Sequence, residues 1–385
     1  MGSSFSYSNN TTSISQDEIL TNNSFTVPDG SLLVNASVGI IVTSLADSCF
    51  LDCTGLTSIS ITNNVTSIGS NCFFGCSSLT TIIIPNSVLT IGSNCFYSCI
   101  ILTSITLSDK LTTLNDSCFY ACRSLTSIII PANVTTIGFS CFSLCDSLTS
   151  IIIPKKVISI GFNCFNNCTS LASIILPNSL TTIGNNCFNN CSSLTYIKIP
   201  NNVLSLGENC FNNCSSLTSI TLSNNITSLG ENCFYGCSSL TSIILPKKII
   251  TLGSACFNNC TSLSSIIIPS SISTLGQMCF NNCTSLSRIQ FNNSQNISNV
   301  GDSCFNNISS NTTVIYYNAS NFNDLPDILK TTQGQFPNNT IYIYNPYPFS
   351  EQKINNNVGI NLFSLTNNKT KKKTRKRIKK FIDLL

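Results

Sequence analysis

A block of 23 residues, LTSIILPKKIITLGSACFNNCTS at 240–262, recurs along most of the chain, and a repeat of that length leaves few folds open. The leucine that starts it returns as Leu33, Leu56, Leu79, Leu102, Leu125, Leu148, Leu171, Leu194, Leu217, Leu240, Leu263 and Leu286. Twelve coils therefore follow one another at a spacing of 23 residues, and only the last is longer, by two residues around Asn292 and Asn293. A unit this small cannot bury its own apolar face, so each coil must stack on its neighbours and the product is a solenoid. With that leucine as offset 0, apolar side chains fall at offsets 0, 3, 5, 9, 12, 16, 17 and 20, as in Leu240, Ile243, Leu245, Ile249, Leu252, Cys256, Phe257 and Cys260.

The local patterns assign the backbone. L-x-x-I-x-[IL] turns apolar residues inward from a short strand, and its β-branched residues suit an extended chain. Proline follows at offset 6 in seven coils (Pro85, Pro131, Pro154, Pro177, Pro200, Pro246, Pro269) and, lacking an N–H, ends the ladder there. A second extended piece closes on glycine at offset 13 in nine coils (Gly69, Gly92, Gly138, Gly161, Gly184, Gly207, Gly230, Gly253, Gly276), where a turn with positive φ is expected. C-F-x-x-C is read as one helical turn, because offsets 16 and 20 share a face only if the backbone coils. Parallel strands at ~4.8 Å per coil give twelve coils a length of roughly 58 Å.

The predicted organisation is a flexible N-terminal arm and cap at 1–32, the solenoid at 33–310, a C-terminal cap at 311–349, and a linker with a polybasic tail at 350–385. The cap is expected to hold strands at 314–317 and 341–344 and a short helix at 324–330. Charged residues make up only 9% of the chain, against roughly 25% in an average soluble domain, so the surface must be largely Ser, Thr and Asn. The net charge of +4 is carried by the tail, since 369–380 alone holds nine Lys or Arg and the rest sums to 4 − 9 = −5. No apolar run approaches the ~20 residues of a membrane-spanning helix, and the first thirty residues show no apolar core of a secretory signal.

Catalysis is disfavoured. The sequence contains no His, which removes Ser-His-Asp and Cys-His nucleophiles. No glycine-rich phosphate loop stands between a strand and a helix, and the sparse Asp argues against a calcium-binding β-roll. No cofactor is expected.

The repeat LTSIILPKKIITLGSACFNNC resembles that of the BspA-like leucine-rich repeat family, whose coil has the form L-x-x-I-x-I-P-x-x-V-x-x-I-G-x-x-A-F-x-x-C. The likeness spans 33–310, and the main departure is Cys in place of the Ala before Phe, from Cys49, Cys72 and Cys95 to Cys304. It implies a β-rich leucine-rich repeat solenoid of twelve coils, with short parallel strands and one helical turn per coil. It also implies a non-enzymatic surface antigen or adhesin that recognises protein or glycan partners at the cell surface or membrane periphery.

Three groups of residues are candidates for function. The 23 cysteines form one column at offset 16 and one at offset 20. A line of C-x-x-x-C pairs does not close a four-ligand zinc set, and disulfides between coils need an oxidising compartment; the preferred reading is reduced, buried small hydrophobes. The outward column at offset 4 reads Ser60, Ile83, Thr106, Ile129, Ile152, Ile175, Lys198, Thr221, Ile244, Ile267 and Gln290. Its isoleucines form a candidate binding ridge, since contiguous exposed apolar patches mark interaction sites; the alternative is that they serve β-propensity alone. The third group is the two ends. MGSSFS fits an N-myristoylation signal at Gly2, and Lys371, Lys372, Lys373, Arg375, Lys376, Arg377, Lys379 and Lys380 suit an anionic membrane surface. The same block reads as a nucleic-acid patch, but Phe381, Ile382, Leu384 and Leu385 after it favour the membrane. One acyl chain binds weakly without a second signal, so the two ends together describe a cytoplasmic scaffold held at a membrane; a solvated tail is the plain alternative. Sequons such as Asn64, Asn133, Asn225, Asn167 and Asn190 matter only in a secretory compartment.

Overall fold

The computed structural model describes residues 35–37 and 42–347. Most coils contribute a three-residue strand at offsets 2–4, such as Ser58–Ser60 and Thr81–Ile83, and a two-residue strand at offsets 11–12, such as Ser67–Ile68 and Thr90–Ile91. Each pairs in parallel with its equivalent one coil away, at a constant register of 23 residues: Ser150 lies against Ser173, Ser159 against Thr182. In the last coil Thr274 lies against Asn299, a step of 25, because a single 3-10 turn at Ser294–Asn296 absorbs the two added residues.

The C-F-x-x-C segment coils through successive hydrogen-bonded turns, Phe74 N–H to Asn71 O at 3.1 Å and Cys76 N–H to Phe73 O at 3.2 Å, which turns both cysteines inward. Alternate amides on this side reach the next coil instead: Asn71 N–H to Ser93 O at 2.9 Å, Phe73 to Cys95 at 2.8 Å, Gly75 to Tyr97 at 2.8 Å. The coil thus has three sides, each closed by a ladder running along the axis, so the backbone polar groups find partners in neighbouring coils.

The expectation of positive φ at the offset-13 glycines is corrected. Left-handed backbone sits at offsets 15 and 19 instead, on Asn71 (φ 55), Asn94 (φ 54), Asn167 (φ 59) and Asn190 (φ 58), among others. Asn tolerates that region better than other residues with a Cβ, which accounts for much of the asparagine in the repeat. Glycine is needed at offset 13 for proximity. A Cβ on Gly161 would lie 2.5 Å from Phe139 N and 2.6 Å from Gly138 C, inside the backbone of the coil below. Coil 102–124 shows the one way round this: it has Asn115 there, and the Asn115 Nδ2 donates to Ile91 O at 2.6 Å. Elsewhere the glycine amide fills that role, as Gly92 N–H does to Ile68 O at 2.8 Å.

Inside, the leucine, isoleucine, cysteine and phenylalanine columns are buried from end to end. The rings from Phe50 to Phe305 stack face to face, with centroids 5.2 Å apart at the closest and 5.6 Å at the widest. Beyond the last coil the first-strand sheet continues through Thr313–Tyr317 and Ile341–Asn345, with the helix Asp327–Thr332 between them, and the Phe336 ring stacks on Phe305 at 4.9 Å.

The first-strand sheet is interrupted at 127–129 and 242–244, where no strand forms. The coil before each interruption has a buried serine in place of the proline. Ser108 Oγ donates to Val88 O at 2.6 Å and Ser223 Oγ to Asn201 O at 3.1 Å. Where the ladder is intact, the residue before the proline ties the next coil down, as Ile153 N–H does to Ile175 O at 3.0 Å.

Candidate recognition face

The first-strand side is built from offsets 1, 2 and 4. The Thr or Ser at offset 1 donates its hydroxyl to the backbone carbonyl of the same position one coil back: Thr103 to Thr80 O at 3.1 Å, Thr218 to Thr195 O at 3.1 Å, Ser264 to Thr241 O at 3.3 Å. Those donors are spent inside the solenoid. Beside them the Ser or Thr of offset 2, such as Ser150 and Ser173, is exposed.

On that face the isoleucines of offset 4 stand out from the sheet. Ile83 is 68% exposed, Ile129 87%, Ile152 66%, Ile175 61%, Ile244 87% and Ile267 50%. The two most exposed, Ile129 and Ile244, belong to the coils where the ladder is interrupted. Ile129, Ile152 and Ile175 occupy consecutive coils and make a continuous apolar strip on the order of a few hundred Å², the size at which surface patches on soluble proteins become binding sites. Ile244 and Ile267 make a second block. The column ends differently from the sequence reading: Gln290 is buried, and its Nε2 donates to Asn292 Oδ1 at 2.7 Å. Its strand leads into the enlarged last coil.

All 23 cysteines are buried with free thiols, as the packing reading requires. The offset-20 thiols from Cys76 to Cys283 donate to the carbonyl of a phenylalanine one coil back, Cys76 Sγ to Phe50 O at 3.1 Å and Cys283 Sγ to Phe257 O at 3.1 Å. Burial pushes Cys118, Cys214 and Cys283 up to about 12, and most others rise for the same reason. Cys49 goes the other way, its thiolate favoured by a hydrogen bond from Cys72. Among the described residues no group of three or more His, Cys, Asp or Glu could hold a metal ion. Gly2 and the cations from Lys371 to Lys380 lie outside the described residues. Among the described residues no helix is long and apolar enough to cross a membrane.

The asparagine ladder on the turn side was not anticipated. Asn190 Nδ2 donates to Asn167 Oδ1 at 2.9 Å, and Asn282 Nδ2 to Asn259 Oδ1 at 3.0 Å. The signal was present, since Asn recurs at offset 19 in the later coils, as Asn167, Asn190, Asn213, Asn259 and Asn282. It engages the sequon nitrogens of Asn190 and Asn282 in the fold itself.

A family model of the BspA type leucine rich repeat region, six copies long, matches residues 43–157, 135–238 and 205–328, about three quarters of the chain. The chain belongs to the BspA type leucine-rich repeat family. Among solved structures, a leucine-rich repeat protein from Bacteroides ovatus is similar at 25% identity and a TM-score of 0.55, over 82% of this chain and 84% of that one. A leucine-rich repeat protein from Eubacterium ventriosum is similar at 23% identity and a TM-score of 0.51, over 73% and 84%. A leucine rich cell surface protein from Faecalibacterium prausnitzii matches at 28% identity and a TM-score of 0.49, over 76% and 82%. No curated protein matches the chain. BspA type repeats are in general surface or protein-interaction scaffolds, and the fold generally serves binding rather than catalysis.

Proposed function

We propose that this protein is a non-enzymatic recognition protein of the cell surface, binding a protein or glycan partner through its first-strand face. The observation that carries this is the strip of Ile129, Ile152 and Ile175 at 87%, 66% and 61% exposure, on the first-strand side of three consecutive coils. An exposed strip of that kind is costly in water and gains by being covered. The membership of a family of surface and interaction proteins supports the same reading.

A second reading rests on the two ends: a scaffold held at the cytoplasmic leaflet by a lipid on Gly2 and the cations of the tail. Labelling intact cells with an impermeant reagent, read out with antibody to the solenoid, separates the two. Labelling is the result expected for surface recognition. Protection, with recovery in the membrane fraction, favours the scaffold. Replacing Ile129, Ile152 and Ile175 with Thr tests the face itself, with loss of cell attachment expected and unchanged attachment counting against it.

A further inference from the structure

The charges of the solenoid are not scattered. Among the described residues, seven of the cations in the coils fall at offsets 2 to 8, on the first strand or the loop after it: Lys110, Lys155, Lys156, Lys198, Lys247, Lys248 and Arg288. The remaining coil cation, Arg123, is paired with Asp146 at 2.5 Å away from this side. The anions collect on the turn side at offset 14, as Asp47, Asp116, Glu208 and Glu231, with Asp302 at the equivalent place in the enlarged last coil. Asp109, beside Lys110, is the one carboxylate among the cations.

The seven also have a period. They occupy the coils that begin at Leu102, Leu148, Leu194, Leu240 and Leu286, every second one, and the coils between carry none at these offsets. At ~4.8 Å per coil the positive charge recurs about every 9.6 Å along a band of roughly 38 Å. Six of the seven are lysines with exposed side chains. Two are held outward by the coil below: Lys156 Nζ donates to Asn133 Oδ1 at 2.8 Å and Lys248 Nζ to Asn225 Oδ1 at 2.7 Å, contacts with neutral amides that leave the charge uncompensated.

At the middle of the band stands Tyr196, 48% exposed, two residues before Lys198 on the same strand. Its hydroxyl lies 3.1 Å from Thr221 Oγ1, one coil on and two residues along, so the ring lies across the sheet with one face turned to solvent.

We propose that this side of the solenoid binds a linear acidic polysaccharide, laid lengthwise along the band. The proposal rests on the recognition-face reading and names the class of partner. Chains of alternating neutral and acidic sugars present their carboxylate or sulfate once per disaccharide, and two linked pyranose rings span about the distance between successive cationic coils. A nucleic acid strand is charged at shorter intervals, and an acidic protein has no reason to match the period. A stripe of one sign raises the local concentration of such a polyanion and fixes its register. The open face of Tyr196 offers the apolar C–H side of a sugar ring a surface to rest on.

The test uses the full chain with hyaluronan oligosaccharides, which carry one carboxylate per disaccharide, from tetrasaccharide to dodecasaccharide, and follows acetylation of each lysine by mass spectrometry. Protection of Lys155, Lys156, Lys198, Lys247 and Lys248 is expected, with Lys330 in the terminal segment unprotected. Affinity should rise with length until the oligosaccharide spans the band, then level off. Replacing Lys155, Lys156, Lys247 and Lys248 with Gln should weaken binding roughly tenfold, the summed effect of several exposed ion pairs, and Tyr196→Ala should weaken it without changing its salt dependence. Protection confined to Lys371–Lys380 would overturn the proposal while leaving the recognition face standing. Equal protection by poly-aspartate, with no dependence on oligosaccharide length, would overturn it in favour of an acidic protein partner. Binding that protects none of the lysines of the coils would overturn both.

Discussion

Consider Gly161→Ala. The φ of Gly161 lies outside the left-handed region, so nothing in its own backbone forbids a side chain. If the residue were there only for flexibility, Ala would restrict the unfolded chain and stabilise by about 0.4–1 kcal/mol. The packing reverses the sign. The new Cβ would meet Phe139 N at 2.5 Å, Gly138 C at 2.6 Å and Phe139 Cα at 2.7 Å, where ordinary contact begins at 3.4 Å, and all three atoms are main chain. The two coils must part by a good fraction of an ångström. Overpacking of that kind costs about 1–3 kcal/mol, and parting the coils stretches the Gly161 N–H bond to Ile137 O, now 2.9 Å, worth about 1 kcal/mol more. A net loss of about 3 kcal/mol is expected. Gly161→Asn should recover part of it, because Asn115 shows an amide side chain taking over the same ladder bond. Unfolding of a repeat array need not be two-state, so the assay is native-state hydrogen exchange at the amides of 159–161 and 182–184, with urea midpoints alongside. If Gly161→Ala is neutral or stabilising, or if Ala and Asn cost the same, the close-approach explanation of the offset-13 glycines is wrong.

Other outcomes follow from the same geometry. Gly236 has φ 69 at offset 19, where half of the coils have Asn, so Gly236→Asn should change stability by less than about 0.5 kcal/mol in urea unfolding. Phe188→Ala removes one ring from the stack, 5.6 Å from Phe165 and 5.2 Å from Phe211, and should cost about 3–5 kcal/mol, read as a lowered midpoint and faster exchange in the two adjoining coils. The thiols should be silent to a disulfide reagent at pH 8 in the native protein and react together on unfolding; rapid native labelling of ten or more would contradict their burial. The same thiols make stability depend on alkaline pH. Their folded pKa is raised, to about 12 for Cys118, Cys214 and Cys283, above an unfolded value near 9.0, so their contribution is whole below pH 9 and is lost as pH climbs towards 12. Urea midpoints measured from pH 7 to 11 should fall above pH 9, and a flat profile would refute the assignment.

The coil was legible in the sequence because its inward residues repeat at fixed offsets, and Leu240, Ile243, Cys256 and Phe257 needed no tertiary information to be placed inside. The outward Ile129, Ile152 and Ile175 followed from simple alternation along a strand. What periodicity does not carry is distance between coils. Gly161 and Asn167 both look like turn residues, but one is required by a neighbour 2.5 Å away and the other by its own φ of 59. The interruptions at 127–129 and 242–244 each follow a coil with a buried serine at the proline position, a relation between residues far apart in sequence. The second-coil spacing of Lys155, Lys198 and Lys247 was likewise on the page as letters. It acquires meaning only once the coils are stacked and charges at different offsets fall in one band.

The buried thiols allow a direct test of the recognition face without knowing the partner. Because the native cysteines are silent, Ile152→Cys on the first-strand side and Asn185→Cys on the turn side each introduce a single reactive thiol. In the purified protein both should label with a maleimide at similar rates. In living cells that make the protein, Ile152→Cys should be protected several-fold relative to Asn185→Cys, because the partner covers the first-strand face. Equal labelling of the two positions in cells would contradict the claim that this face is where the protein does its work.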